Sequence, residues 1–157
     1  MNLTVGNIRA ASGRRKQPFP HLSQEDTAVW EQFVTTAAVA GKRAEYDVRL
    51  GGRGLDQVDK EHSHFPMWAA LIKKRVDVVL WDGETPWLIE VKPVASFSAL
   101  GQVLGYGDLW ERERRSAHAP KLIVACRACD EDLRPTFGRF GIEVWTMPSA
   151  MSDRLAS

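Results

Sequence analysis

Apolar and polar positions along this chain change period several times, and each change marks an element. Ser23 followed by Asp26 is an S-x-x-[DE] helix start with acidic residues in its first turn. Val29, Trp30, Phe33, Val34 and Ala37 then recur at helical spacing, which predicts a helix to about Gly41 with Glu31 on the flank of its apolar stripe. The period next falls to two: Tyr46, Val48 and Leu50 alternate with Glu45, Asp47 and Arg49, a half-buried strand stopped by glycines. Residues 51–64 show no period and read as a loop, and Pro66 suits the first turn of a short helix over 66–74. Two apolar runs, RVDVVLWD and PWLIEVKPV, flank Gly-Glu-Thr and read as a hairpin. A helix over 96–115, the strand KLIVACRA, an acidic-started helix over 130–141 and the strand IEVWTM complete the chain. The order α-β-β-β-α-β-α-β predicts an α/β protein whose central mixed sheet is flanked by helices.

Three regions follow from this pattern. Residues 1–22 form a basic, proline-containing arm, 23–148 a single domain, and 149–157 a C-terminal tail. In the arm, Arg14, Arg15 and Lys16 lie near Pro18 and Pro20, which suits an extended segment. Such a segment is either a solvated tail or one that contacts phosphates or docks on another protein. Hydrophobic and charged contents of 44% and 26% are those of an ordinary globular domain. The net charge of +1 means that any nucleic-acid contact must be local. Cys126 and Cys129 make no disulfide framework or zinc quartet. No stretch approaches the ~20 apolar residues of a membrane span and no signal-peptide core is visible, so a cytoplasmic protein is expected.

The hairpin carries the chemistry. Glu90 and Lys92 interrupt a run of Trp, Leu, Ile and Val, where a carboxylate is costly without a partner. Either the strand has one wet face, or the charges act together. With Gly83 and Glu84 as central residues, Gly83 takes the position that a type II′ turn favours, Asp82 faces Thr85 and Asp77 faces Glu90. A turn on Asp82-Gly83 makes Asp77 and Glu90 diagonal neighbours, still on one face. Lys92 joins them by the two-residue period, while Val76, Val78, Leu80, Ile89 and Val91 fill the opposite face. Two carboxylates within about 5 Å repel each other across a ladder. Mg²⁺, or Mn²⁺ in its place, would compensate that repulsion, activate a water and stabilise charge on a phosphodiester beside the ammonium.

Asp77, then Glu90-Val91-Lys92, with a helix before and a helix after, resembles the PD-(D/E)XK nuclease superfamily. Gln102 and Tyr106 resemble the Q-x-x-x-Y signature of its RecB-like and exonuclease-like branches, and their spacing puts both on one helical face, from which they are expected to contact DNA or orient a ligand. The resemblance implies a restriction-endonuclease-like core of α-β-β-β-α-β order. It further implies that Asp77 and Glu90 are metal ligands, that the Val91 carbonyl completes them, and that Lys92 is the catalytic lysine. The superfamily often adds an acid from the first helix, for which Glu31 is the first choice and Glu25 the reserve. RecB-like members also carry an upstream metal-binding histidine, for which His62 and His64 are candidates. Arg75-Val76 replaces the motif's proline before Asp77.

Phosphate contacts are expected from Lys73, Lys74 and Arg75; Arg112, Arg114 and Arg115 are a second basic group, for which complementation of the helix C-terminus is a sufficient explanation. Gly101, Gly105 and Gly107 weaken the second long helix, and their return is close packing on the sheet or close approach of a DNA backbone. Two functions stay open. One is a Mg²⁺-dependent DNA nuclease acting in DNA processing. The other is a nuclease-fold docking protein of a phage particle, of head-completion or head-to-tail connector type, in which case it would reside in the virion. DNA is the expected partner of the first, and other proteins reached through the arm are the partners of the second.

Overall fold

The computed structural model describes residues 2–4, 19, 21–52, 64, 66–67, 73–114 and 116–147. Strand β1 (Asn2–Thr4) is followed by helix α1 (Gln24–Phe33), strands β2 (Arg43–Leu50), β3 (Lys74–Asp82), β4 (Thr85–Val91) and β5 (Val94–Ala95), and helix α2 (Phe97–Arg114). Strands β6 (Lys121–Cys126) and β7 (Ala128–Cys129), helix α3 (Arg134–Arg139) and strand β8 (Ile142–Thr146) complete it. The main sheet has the order β1-β2-β3-β4-β6-β8, five of its six strands being five residues or longer. Its first four strands are antiparallel neighbours, and β4, β6 and β8 run parallel. Parallel pairing requires crossovers, which α2 and α3 supply on one face of the sheet. β5 and β7 form a small parallel pair after Lys92. This is an α/β protein with a mixed sheet packed between helices.

Each helix has a local cause. The Ser23 hydroxyl accepts a hydrogen bond from the Asp26 amide at 3.0 Å, and Glu25 and Asp26 complement the helix N-terminus. The sequence pattern extends α1 to Gly41, but the helix ends at Phe33. The Thr35 and Thr36 hydroxyls donate to the carbonyls of Gln32 and Phe33, diverting acceptors that a continuing helix would give to its own amides. Val39 is buried all the same, in the turns that follow. α3 starts later than its acidic lead-in, because Pro135 suits a first turn. Of the short helix predicted over 66–74, Pro66 and Met67 are helical and Lys74 already belongs to β3, while 68–72 lie outside the described residues.

α1 covers one face of the sheet, where Trp30, Val29 and Phe33 pack with Val78, Leu80, Ile89, Val91 and Ile123. α2 covers the other, where Tyr106 and Trp110 pack with Val79 and Leu88, and Val103 packs with Val124. The predicted arm is tied in at two points, since β1 pairs with β2 and Phe19, 2% exposed, lies 5.1 Å from the Tyr46 ring. Arg14, Arg15 and Lys16 and the C-terminal tail lie outside the described residues.

Two expectations about faces are corrected. Tyr46 packs toward α1, whereas Val48 and Leu50 pack toward α2, so β2 does not keep one alternation. Val76 likewise joins the α2 side instead of following Val78 and Leu80. The cause is local. Asp47 has φ 57°, a left-handed conformation that Asp tolerates better than most side chains, and it stands opposite Asp77 where the β2–β3 ladder skips a pair. Both strands change face there.

The glycines of α2 divide in two. A Cβ at Gly107 would lie 3.1 Å from two Leu122 carbons, so this glycine serves helix-on-sheet packing. A Cβ at Gly101 or Gly105 would meet nothing within 4 Å. Gly101→Ala is therefore expected to stabilise the fold by about 1 kcal/mol in urea denaturation. Gly107→Ala should lose that gain in displacing Leu122.

Candidate functional site

The hairpin takes the first of the two registers. Asp82 faces Thr85 across Gly83-Glu84, and positive φ at Gly83 alone fits a type II′ turn. The β3–β4 ladder then runs to Val78–Ile89 and stops. At the next position the Asp77 side chain turns in, and its Oδ2 accepts the Val91 N–H at 2.9 Å. A carboxylate thus takes the place of a main-chain acceptor, and the strands open where Asp77 and Glu90 face each other. Beyond it, the Lys92 N–H donates to the Ala125 carbonyl and keeps the Lys92 backbone on the sheet.

Asp77, Glu90 and Lys92 line one cavity of about 960 Å³ between the end of β3 and the face of α2. Glu90 is 1% exposed, and neither of its carboxylate oxygens has a hydrogen-bond partner of good geometry among the described residues. Lys92 Nζ lies 3.0 Å from Glu90 Oε1 as an ion pair. Burial raises the Glu90 pKa to about 7, the Asp77 charge adds to the rise, and Lys92 opposes it. Burial also raises the Asp77 pKa, against the lowering by the Val91 N–H and by Lys92. For Lys92 burial acts downward, but the charge and hydrogen bonding of Glu90 prevail and its pKa is raised.

Helix α2 aims a second row of side chains at the same carboxylate. Ser98 Oγ donates to Gln102 Oε1 at 3.2 Å, and Gln102 Nε2 donates to the Tyr106 hydroxyl at 3.3 Å. The three residues are four apart and so stack along one helical face. Tyr106 is 5% exposed, and its hydroxyl is left to face Glu90, with which it is electrostatically coupled. Burial and the carboxylate charges raise the Tyr106 pKa, so the phenol keeps its proton as a donor. Gln102 and Tyr106 both line the cavity, with the Tyr106 hydroxyl toward Glu90.

Glu31 is corrected. It is exposed on α1 and does not line the cavity, because its place on the helix lies away from the face that Trp30 and Phe33 turn to the sheet. The α1 acid whose charge is felt by Asp77 and Lys92 is Asp26. It precedes Val29, Trp30 and Phe33 at helical spacing, a signal present in the sequence. Glu25 is exposed in the same turn. His64 is exposed and is not part of the cavity wall, and His62 lies outside the described residues. Cys126 is a buried strand residue whose thiol is pushed up to about 11 by burial.

Lys73, Lys74, Arg75 and Arg112 stand on the cavity wall, joined by Arg49, which sequence reasoning missed. Asp47 Oδ1 lies 3.1 Å from Arg75 Nε, and its other oxygen 3.7 Å from Arg49. The strained aspartate thus holds two arginines at the rim. Arg112 pairs with Asp108, and Arg114 lies over the Trp110 ring at 5.3 Å. Arg115 lies outside the described residues.

No family model matches the chain, and no curated protein matches it. It is similar to one solved structure, that of a protein of unknown function, AF1548, with 15% identity and a TM-score of 0.43. That likeness covers 77% of this chain and 55% of the other, so the chain spans about half the length of that structure. No helix among the described residues is long and apolar enough to cross a membrane.

As a donor set, the site offers hard oxygens. Among the described residues no three His, Cys, Asp or Glu side chains converge as a metal cluster. Two carboxylates are enough for a cation that keeps most of its own waters. The buried Glu90 oxygens, short of hydrogen-bond partners of good geometry and offset by the single ion pair to Lys92, fit such an ion.

Proposed function

We propose that the chain is a divalent-metal-dependent DNA nuclease with a restriction-endonuclease-like core. The observation that carries this reading is Glu90, a buried carboxylate without a hydrogen bond of good geometry, facing Asp77 and paired to Lys92 in a cavity rimmed by lysine and arginine. Burying two acids together is costly for a fold that does not use them. The element order around Asp77, Glu90 and Lys92 supports the same core.

In this reading Asp77 and Glu90, with the Val91 carbonyl, hold Mg²⁺ or Mn²⁺. When bound, the ion supplies Lewis-acid stabilisation of phosphodiester charge and a lowered pKa for water. The chain's own residues do the rest. The Val91 amide fixes Asp77, and Tyr106, set by Gln102 and Ser98, orients Glu90. Lys92, 31% exposed at its side chain, presents an ammonium to the phosphate oxygens as charge builds on them. Arg75, Arg49, Lys73 and Lys74 hold flanking phosphates and keep the strand in register.

Calorimetric titration with Mn²⁺ tests the metal arm. The wild type is expected to bind, and Asp77→Ala to lose that binding with its fold intact by circular dichroism. Linear DNA incubated in Mg²⁺ or Mn²⁺, against a chelator control, tests the chemistry. Absence of cleavage and of metal binding, together with stable assembly on other proteins, would favour the docking function instead.

A further inference from the structure

We infer that the cavity takes an unpaired DNA strand, with one base stacked on Phe97 and its phosphates on the basic rim. This rests on the nuclease reading for the chemistry at the cavity floor, but not for binding.

Phe97 opens α2 and is 73% exposed, more than Met67, Val94 or Phe140 among the large apolar side chains. It lines the same cavity as Asp77 and Glu90, and its ring makes no aromatic pair with a described residue. An apolar ring in that position contributes little to the core. Gly101 and Gly105 follow it at one-turn and two-turn spacing and also line the cavity. Neither would touch anything with a Cβ, in contrast to Gly107. Both weaken the helix without a packing return inside the fold. Their effect is a bare strip of α2 beside an exposed ring, open to a flat group.

The charges on the rim say what carries that group. Lys73 and Lys74 make no ion pair with a described residue, and Asp47 holds Arg75 beside them. Cations beside an aromatic face are the pairing that single-stranded nucleic acid selects, phosphates on the former and a base on the latter. A duplex cannot use the ring in the same way, since its bases are stacked and present only their edges and phosphates. Glu90, recessed at 1% exposure, also favours a strand thin and flexible enough to bend inward.

The test is fluorescence anisotropy with a labelled oligothymidylate and a labelled blunt duplex, in Ca²⁺ so that binding is read without turnover. The wild type is expected to prefer the single strand. Phe97→Ala should reduce that preference about tenfold, and Phe97→Trp should restore it. Because the side chain is exposed at a helix start, neither variant endangers the fold. A wild type that prefers the duplex, or an unchanged preference in Phe97→Ala, overturns the inference. The two readings fail separately. Cleavage in Mg²⁺ with no effect of Phe97→Ala on strand preference would keep the nuclease and remove the stacking site. Ring-dependent single-strand binding without cleavage would do the reverse.

Discussion

Lys92→Ala is expected to lower Mg²⁺-dependent cleavage of linear DNA by about 100- to 1,000-fold, as removal of one preorganised electrostatic group does elsewhere. Two effects combine in this variant. The ammonium is lost from the developing phosphate charge, and Glu90, paired with it at 3.0 Å, loses a cation that opposes its protonation. Lys92→Met separates charge from bulk, since it keeps most of the aliphatic stem, and it should fall as far as Lys92→Ala. Glu90→Ala should abolish cleavage more completely, because it removes a metal donor. Glu90→Gln serves as its volume-matched control. Both substitutions should leave a folded protein by near-ultraviolet circular dichroism. Cleavage undiminished by Lys92→Ala and Glu90→Ala would remove the active-site assignment outright.

The parts of this site that depend on period and turn chemistry were legible in the residues. Gly83 left two hairpin registers open, the observed one among them, and in both Asp77 and Glu90 share a face. The order of long elements was equally visible, because Trp30, Val48 and Leu88 sit in stretches whose apolar spacing allows little else. What escaped was non-local. Nothing around Asp47 announces a left-handed backbone, yet that residue moves Val48 and Val76 to the α2 face and gathers Arg49 and Arg75. The flank of the apolar stripe pointed to Glu31, with Glu25 in reserve, and Asp26 read only as part of the helix start. With α1 ending at Phe33, the face shared by Asp26, Trp30 and Phe33 is the one turned to the sheet. The four-residue spacing of Gln102 and Tyr106 put both on the helix face that lines the cavity, but the approach of the Tyr106 hydroxyl to buried Glu90 depends on depth, which spacing does not carry.

The metal-free protein is expected to lose stability as pH rises from about 4.5 to 7. Glu90 holds its proton in the fold up to about pH 7, whereas the same group in the unfolded chain releases it near 4.5. Over that window the native state binds more protons than the unfolded state, so the unfolding free energy falls with pH, by up to about 1.4 kcal/mol for each pH unit. Some 3 kcal/mol is therefore at stake in this one group, and the curve should level above pH 7, where both states are ionised. Asp77, raised in the same direction, steepens the lower part. Urea unfolding of wild type and Glu90→Gln at matched pH isolates the effect, because an amide has no proton to lose and its curve should be flatter by about that amount. A cation bound by the same oxygens competes with the proton. Saturating Mn²⁺ should therefore remove the fall in the wild type and leave Glu90→Gln nearly unmoved. A wild-type curve as flat as that of the amide variant would mean that Glu90 is ionised in the fold at pH 5, and that burial does not hold the acids in a state poised for a metal.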